Sequence, residues 1–196
     1  MSTKRRIGII GDGNVGGALA KGLTRAGHEV KAVGKDPAAV RGVADWAQVV
    51  LLAVPYGALE SAVQEAGRGL EGKTVIDATN ALGPKMELAV GFQTSGAEEL
   101  QKRAPAAKVV KAFNTVFAQH METGLLGDQR LSAFVAGDDP GAKAETLELA
   151  RDIGFDPVDA GPLQNARLLE PMGYLNIQLG YVLKLGTQVG LSLLRG

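Results

Sequence analysis

Three glycines at the spacing Gly11-x-Gly13-x-x-Gly16 follow the short apolar run Ile7 to Ile10 and open the run Val15 to Ala26, which has helical periodicity. A strand, a tight turn and a helix in that order are the setting in which a glycine turn grips the pyrophosphate of a dinucleotide. The glycines are not interchangeable there. Gly11 makes the turn, Gly13 lets the main chain approach a pyrophosphate, and Gly16 lets helix and strand pack closely. The phosphates would rest on unpaired N–H groups at the positive end of the helix. Other polar groups able to do chemistry stand at the ends of later apolar runs: Tyr56 after Val54-Pro55, then Asp77-Ala78-Thr79-Asn80, Lys111 and Asn114-Thr115. In an open parallel sheet, strand ends of this kind border the ligand crevice. Pro55 is equally compatible with a plain strand-to-helix turn.

The choice between dinucleotides falls to the end of the second strand, Glu29 to Val33, where the chain reads Gly34-Lys35-Asp36-Pro37. An acidic residue there binds the adenosine ribose hydroxyls and favours NAD, whereas a basic one accommodates the 2′-phosphate of NADP. Asp36 before Pro37 has the pattern of a helix N-cap followed by a first-turn proline. That leaves Lys35 facing the ribose, with Arg41 in reach, and the reading is NADP over NAD; the alternative puts Asp36 on the ribose. Candidate proton donors are Tyr56, Lys111 and His120, and each has an ordinary alternative in aromatic packing, strand-end solvation or a polar loop. His28 falls in the turn Ala26-Gly27-His28-Glu29, far from any chemistry, with Gly27 closing the helix. No His/Asp or Ser/Lys constellation stands near the strand ends, so the chain supplies no catalytic residue of its own, and a hydride transfer would proceed by proximity.

The elements that must position these residues alternate along the chain. Val49 to Ala53, Thr74 to Ile76, Lys108 to Phe113, Ser132 to Ala136 and Pro157 to Ala160 read as strands. Helices are expected over Ala58 to Ala66, from the capping box at Ser95-Gly96-Ala97-Glu98 to Arg103, and from Asp138-Asp139-Pro140 to Ile153. Regular βα alternation makes this an α/β fold with a mainly parallel sheet and helices on both faces. Ala81 to Thr94 has few periodic signals and reads as a mobile lid or a long surface loop. The boundary is placed at residues 1–160 for the nucleotide-binding domain and 161–196 for a small C-terminal helical domain. That tail, rich in leucine and punctuated by Gly173, Gly180, Gly186 and Gly190, suggests two or three short helices on the sheet edge, around a flat ligand or on another subunit.

Composition narrows the remaining classes. The chain has 196 residues with 21 basic and 21 acidic side chains, a balance that points to neither nucleic acid nor membrane surfaces. It contains no cysteine and two histidines, which excludes thiolate chemistry and leaves little for a metal centre. The apolar run after Lys4-Arg5-Arg6 is too short for a signal-peptide core, and no run is long enough for a bilayer, so a soluble cytoplasmic protein is expected.

Taken in order, Gly11 to Gly16, Ala53-Val54-Pro55-Tyr56, Asp77-Ala78-Thr79-Asn80, Lys111-Ala112-Phe113-Asn114-Thr115, Val135-Ala136-Gly137-Asp138-Asp139 and Asp159-Ala160-Gly161-Pro162-Leu163, with Asn165, Arg167 and Glu170, resemble the coenzyme F420-dependent NADP oxidoreductase family. The resemblance covers nearly the whole chain. It implies a Rossmann domain with a small C-terminal domain closing the acceptor site, a homodimer, and hydride transfer between NADP(H) and a deazaflavin. It also implies that Asp12, Gly13, Asn14 and Val15 hold the pyrophosphate and that Val54 and Pro55 line the nicotinamide side. Gly11, Gly16, Ala53, Ala78 and Asn80 complete the cofactor-binding set. Tyr56, Asn114, Thr115 and the turn Gly161-Pro162-Leu163 would border the acceptor. Gly34 and Lys35 fall where the family commonly has a Ser-Arg pair on the 2′-phosphate, so a point charge replaces a planar fork. The same domain resembles the cytoplasmic reductase domain of the six-transmembrane ferric and cupric reductases, which pass hydride to an ordinary flavin; the second cofactor or substrate expected here is coenzyme F420 or FMN. A flavin or ferric-type reductase not using F420, a small-carbonyl reductase, and a non-catalytic NADP(H)-sensing module are therefore the competing readings.

Overall fold

In this computed structural model, which describes residues 3–196, the glycine turn follows a strand one place in from the edge of a seven-stranded sheet. Strand β1 (Arg6–Ile10) leads through the turn into α1 (Asn14–Arg25), and β2 (Glu29–Val33), α2 (Pro37–Trp46), β3 (Val49–Leu52), α3 (Leu59–Ala66) and β4 (Thr74–Asp77) follow. After a long loop come α4 (Gly96–Arg103), β5 (Lys108–Lys111), a small hairpin of β6 (Leu125–Leu126) and β7 (Gln129–Arg130), then β8 (Ser132–Gly137), α5 (Pro140–Ile153), β9 (Asp156–Asp159) and α6 (Ala166–Ile177). The strand order is β2-β1-β3-β4-β5-β8-β9.

Successive side chains of a strand point to opposite faces, and both faces here are covered. Ile7, Ile9, Val49, Leu51, Ile76 and Val110 pack with Leu19 and Leu23 of α1 and Leu149 and Ile153 of α5. Ile10, Val50, Leu52, Val75 and Val109 pack with residues of α2, α3 and α4 on the other face. The helices start where their capping residues put them. The Asp36 carboxylate accepts from the Ala39 N–H at 2.7 Å, Asp139 from Ala142 at 2.8 Å, and Ser95 Oγ from Glu98 at 3.2 Å. Asp36 thus caps α2 through Oδ1.

One expectation about the frame is corrected. The βα alternation breaks once: β8 runs antiparallel to β5, while β2 through β5 pair in parallel and β8 pairs in parallel with β9. No helix crosses over between β5 and β8, and a chain returning without a crossover must come back antiparallel. The tail holds a 3-10 turn at Leu163–Asn165, then α6, which a π-helical turn extends at Gln178–Val182. Beyond it Lys184 and Gly186 take positive φ, and the chain runs back along β8, where the Ser132 N–H donates to the Leu191 carbonyl at 2.9 Å. Residues 81–94 form a surface loop pinned by a bridge between Leu82 and Leu88. Among the described residues no helix is long and apolar enough to cross a membrane.

Candidate functional site

Each glycine of the turn meets a different constraint. Gly11 has φ +107°, and a Cβ there would lie 2.3 Å from the Ala53 carbonyl oxygen; its N–H donates to the Val33 carbonyl at 2.8 Å. Gly16 is tighter, because a Cβ there would come 1.8 Å from the Gly11 oxygen. Gly13 is the opposite case: nothing lies within 4 Å of a Cβ built on it. It is the N-cap of α1 and no side chain caps that helix, in contrast to α2, α4 and α5. Open space above Gly13 and uncapped N–H groups beneath it form an anion cradle, and the residues present fit a pyrophosphate.

Two cavities meet at this cradle and share Asp12 and Gly13. One, of about 470 Å³, is lined by Gly34 and Lys35 at the tip of β2, by Ala53, Val54 and Pro55 after β3, and by one face of α3. Val54 and Pro55 therefore stand with Lys35 in one chamber. Ser61, Ala62 and Glu65 on α3 also line it, outside the set expected from sequence, where only their helical spacing from Ala58 could have aimed them there. The other, of about 570 Å³, is lined by Asn14, Gly17 and Lys21 of α1 together with Gln119, Glu122 and Tyr181. A larger, more open cavity of about 740 Å³ lies among Arg5, Lys73, Thr74 and Glu145, at the amino ends of the strands and away from the crevice.

The polar strand ends beyond β4 and β5 form a buried network. Asn80 Nδ2 donates to the Asn114 carbonyl at 3.2 Å, and Asn114 Nδ2 donates to the Leu169 carbonyl at 2.8 Å. Gly173 of α6 rests directly on this pair, with room for no Cβ: one built there would lie 2.6 Å from Asn80 Oδ1. Thr115 is buried beside Asn176, and Ala78 is buried in the core. Thr79 Oγ1, Asn114 Oδ1 and Thr115 Oγ1 have no hydrogen-bond partner, a concentration of unsatisfied polar atoms, two hydroxyls and one amide oxygen, at one edge of the crevice. Leu163 is buried, its N–H held at 2.9 Å by Asp138 Oδ1, and Gly161, at φ +89°, accepts from Lys143 through its carbonyl at 3.2 Å. Pro162 between them is exposed.

Of the three candidate proton donors, Lys111 and His120 are engaged elsewhere through their polar atoms, and Tyr56 packs by its ring alone. Lys111 is not at a solvated strand end: its Nζ lies 2.8 Å from Asp77, 3.0 Å from Glu170 and 2.7 Å from the Thr79 carbonyl, with nothing exposed. Burial alone would pull this ammonium down, but the Asp77 and Glu170 carboxylates outweigh it and hold it above its ordinary value. Glu170 also accepts from the N–H groups of Gly96 and Ala97 at 2.9 and 3.2 Å, fastening α6 to the start of α4. Tyr56 packs against Gly96, and burial, opposed by Arg103 and reinforced by Glu99, Glu170 and Asp77, raises its phenol above the usual range. His120 faces the carbonyls of Leu125 and Thr187 with its two ring nitrogens and ties the tail to the loop after β5. His28 is structural, placed between the Arg5 N–H and the Asp152 carboxylate. Among the described residues no group of three or more acidic or imidazole side chains could hold a metal ion.

Comparison with known proteins bears on this geometry. Residues 6–45, from β1 into α2, match the family described as NADP oxidoreductase, coenzyme F420-dependent. An F420-dependent NADP reductase of Methanothermobacter marburgensis is 29% identical over 206 aligned positions, covering 89% of this chain and 92% of that protein. The metalloreductase STEAP3 of Rattus norvegicus is 30% identical over 177 positions; the match takes in 84% of this chain and 36% of the relative, so the chain spans about a third of that protein's length. A crystal structure from Arthrobacter sp. FB24, assigned as an F420-dependent NADP reductase, superposes with a TM-score of 0.88 at 29% identity, covering 97% of this chain and 100% of that one.

Proposed function

We propose, from the premise that this chain belongs to the coenzyme F420-dependent NADP oxidoreductase family, that it is an enzyme transferring hydride between NADP(H) and a deazaflavin of the coenzyme F420 type. The observation that carries this reading is the pair of cavities meeting at Asp12 and Gly13, one reaching the tip of β2 and the other reaching the C-terminal segment. A two-substrate hydride transfer needs a second space adjoining the dinucleotide site.

The nicotinamide supplies the hydride chemistry when bound, and the protein's part is orientation. The open main chain at Gly13 and the uncapped start of α1 would hold the pyrophosphate, and Lys35 would lie beside the adenosine ribose. Residues 161–196 act as the small unit on the acceptor side: Glu170, Asn176 and Gly173 lock α6 against the ends of β4 and β5, and Tyr181 reaches the second cavity. Two rings held about 3 to 3.5 Å apart and aligned exchange hydride without a protein nucleophile or proton donor. This agrees with Lys111 and His120 being occupied by structural contacts. Leu168, Leu175, Tyr181, Val182, Leu183 and Leu185 are exposed together on α6 and the segment after it, and a second copy of this chain is the partner proposed for that surface.

Stopped-flow mixing of the protein and NADPH with coenzyme F420 and with FMN in parallel tests the reading through loss of reduced nicotinamide absorbance. Reduction of F420 is the expected result. Tight NADPH binding with no transfer to either acceptor would leave the non-catalytic sensing module as the function. The likeness to STEAP3 favours one second reading, transfer to an ordinary flavin, which predicts turnover with FMN alone.

A further inference from the structure

We propose that Asp12 is a specificity-determining residue that reads the adenosine ribose, so that this site accepts NADH alongside NADPH. The inference rests on the dinucleotide reading above. The residue after the first glycine of the turn lines the cavity that reaches the tip of β2, and its side chain is a carboxylate. It is turned toward Gly34: a Cβ built on Gly34 would lie 3.0 Å from Asp12 Oδ2 and 3.1 Å from Oδ1. Both oxygens thus stand side by side against the tip of β2, in the space that a side chain at position 34 would otherwise fill.

That tip is where a Rossmann site reads the ribose, and the acid that ordinarily does so is missing from it. Asp36, the only acidic residue in the β2–α2 connection, has Oδ1 engaged at the N-cap of α2. Asp12 replaces it from the opposite wall. Its carboxylate makes no hydrogen bond among the described residues, so its lone pairs are available to a vicinal diol, which donates two hydrogen bonds at about the spacing of carboxylate oxygens. The charged groups lining the cavity are Asp12, Lys35 and Glu65, two anions and one cation. A 2′-phosphate carrying nearly two negative charges would meet Lys35 as a single point charge with Asp12 beside it. The ribose diol of NAD(H) suits this wall, and the 2′-phosphate gains from Lys35 only part of what it loses to Asp12.

Titration of the nicotinamide fluorescence gives Kd for NADPH and NADH with the wild-type protein, Asp12→Asn and Gly34→Ser at one fixed ionic strength. The wild type is expected to bind the two within about tenfold of each other. Asp12→Asn should tighten NADPH by about tenfold and leave NADH unchanged or weaker, because repulsion is removed from one ligand and an acceptor from the other. Gly34→Ser should move the ratio the same way by displacing the carboxylate. A wild-type preference for NADPH above about a hundredfold, left unaltered by Asp12→Asn, would overturn the inference. So would loss of both ligands in a folded Asp12→Asn protein, since Asp12 would then serve the turn itself. These readouts are binding alone: a protein that binds both dinucleotides yet reduces neither F420 nor FMN loses the proposed function and keeps this inference. A wild type that binds neither loses both.

Discussion

Lys111 Nζ lies 2.8 Å from Asp77 Oδ2, and both side chains are fully buried at the ends of adjacent strands, where Asp77 and Lys111 are also register partners. Glu170 of α6 completes the cluster from the C-terminal segment at 3.0 Å. Two carboxylates and one ammonium leave an anionic surplus, which the N–H groups of Gly96 and Ala97 offset at the start of α4. Lys111→Met removes the cation and leaves two buried carboxylates, and such a change costs about 3–5 kcal/mol. Differential scanning calorimetry should show the loss as a lower Tm. The pH dependence follows from the raised Lys111 value: its contribution is full below the ordinary 10.5 and fades as pH rises through the higher value in the folded chain. Wild-type stability should therefore hold through neutral pH and fall in alkali.

Gly13 and Gly16 are three residues apart and should respond oppositely to alanine. At Gly16 a Cβ would sit 1.8 Å from a main-chain oxygen that cannot rotate away, so Gly16→Ala should cost roughly 3 kcal/mol or more. At Gly13 the added methyl meets nothing and φ is −70°, so the cost should be only that of alanine in place of glycine at an N-cap, about 1 kcal/mol. The methyl would instead occupy the cradle, and NADPH affinity should drop by about tenfold or more. Thermal melts and dinucleotide titrations on the two variants separate the effects; a Gly13→Ala protein that binds normally would move the cradle elsewhere.

How much of the molecule is legible in its sequence depends on how local each cause is. The glycine turn and the N-caps Asp36, Asp139 and Ser95 are decided within a few residues, and the structure places them where spacing puts them. Lys111 reads as solvated because its two carboxylate partners come from β4 and α6, and no local pattern joins them. The one available signal is that Asp77 and Lys111 both close apolar runs, and a charge at the end of a buried strand needs a partner. The antiparallel β8 leaves no local mark because a strand's direction is fixed by its connection, and the loop after β5 has no helical period. In the tail, leucine content suggests helices beyond α6, but Lys184 and Gly186 at positive φ end them.

Arg167 and Glu98 clamp α6 to α4 through two hydrogen bonds of 2.8 and 2.7 Å. The Arg167 hydrogen bond, with help from Ser95, holds the Glu98 carboxyl below its ordinary 4.5 despite partial burial. A carboxylate lowered in the folded state stabilises above its unfolded pKa and loses that contribution as pH falls through the folded one. The clamp should therefore be intact at neutral pH and open in acid, below the ordinary carboxylate range. Hydrogen exchange on α6 as a function of pH measures it: protection should fall below about pH 4 in the wild type, and Glu98→Gln should lower protection at neutral pH and flatten the profile.

Tyr56 is the side chain that decides between proximity and acid catalysis. It stands at the mouth of the crevice after β3, half-buried against Gly96, and its raised phenol keeps its proton at neutral pH. A reductase of carbonyl substrates would use such a group to protonate the product, and removing a general acid costs about a hundredfold or more in rate. Transfer between two stacked rings asks only that the ring of residue 56 stay where it is. Tyr56→Phe keeps the ring and its packing and deletes the proton. Single-turnover hydride transfer in this variant should stay within about threefold of wild type. A fall of about a hundredfold with NADPH binding unchanged would make Tyr56 a catalytic acid and return a carbonyl or imine to consideration as the substrate class.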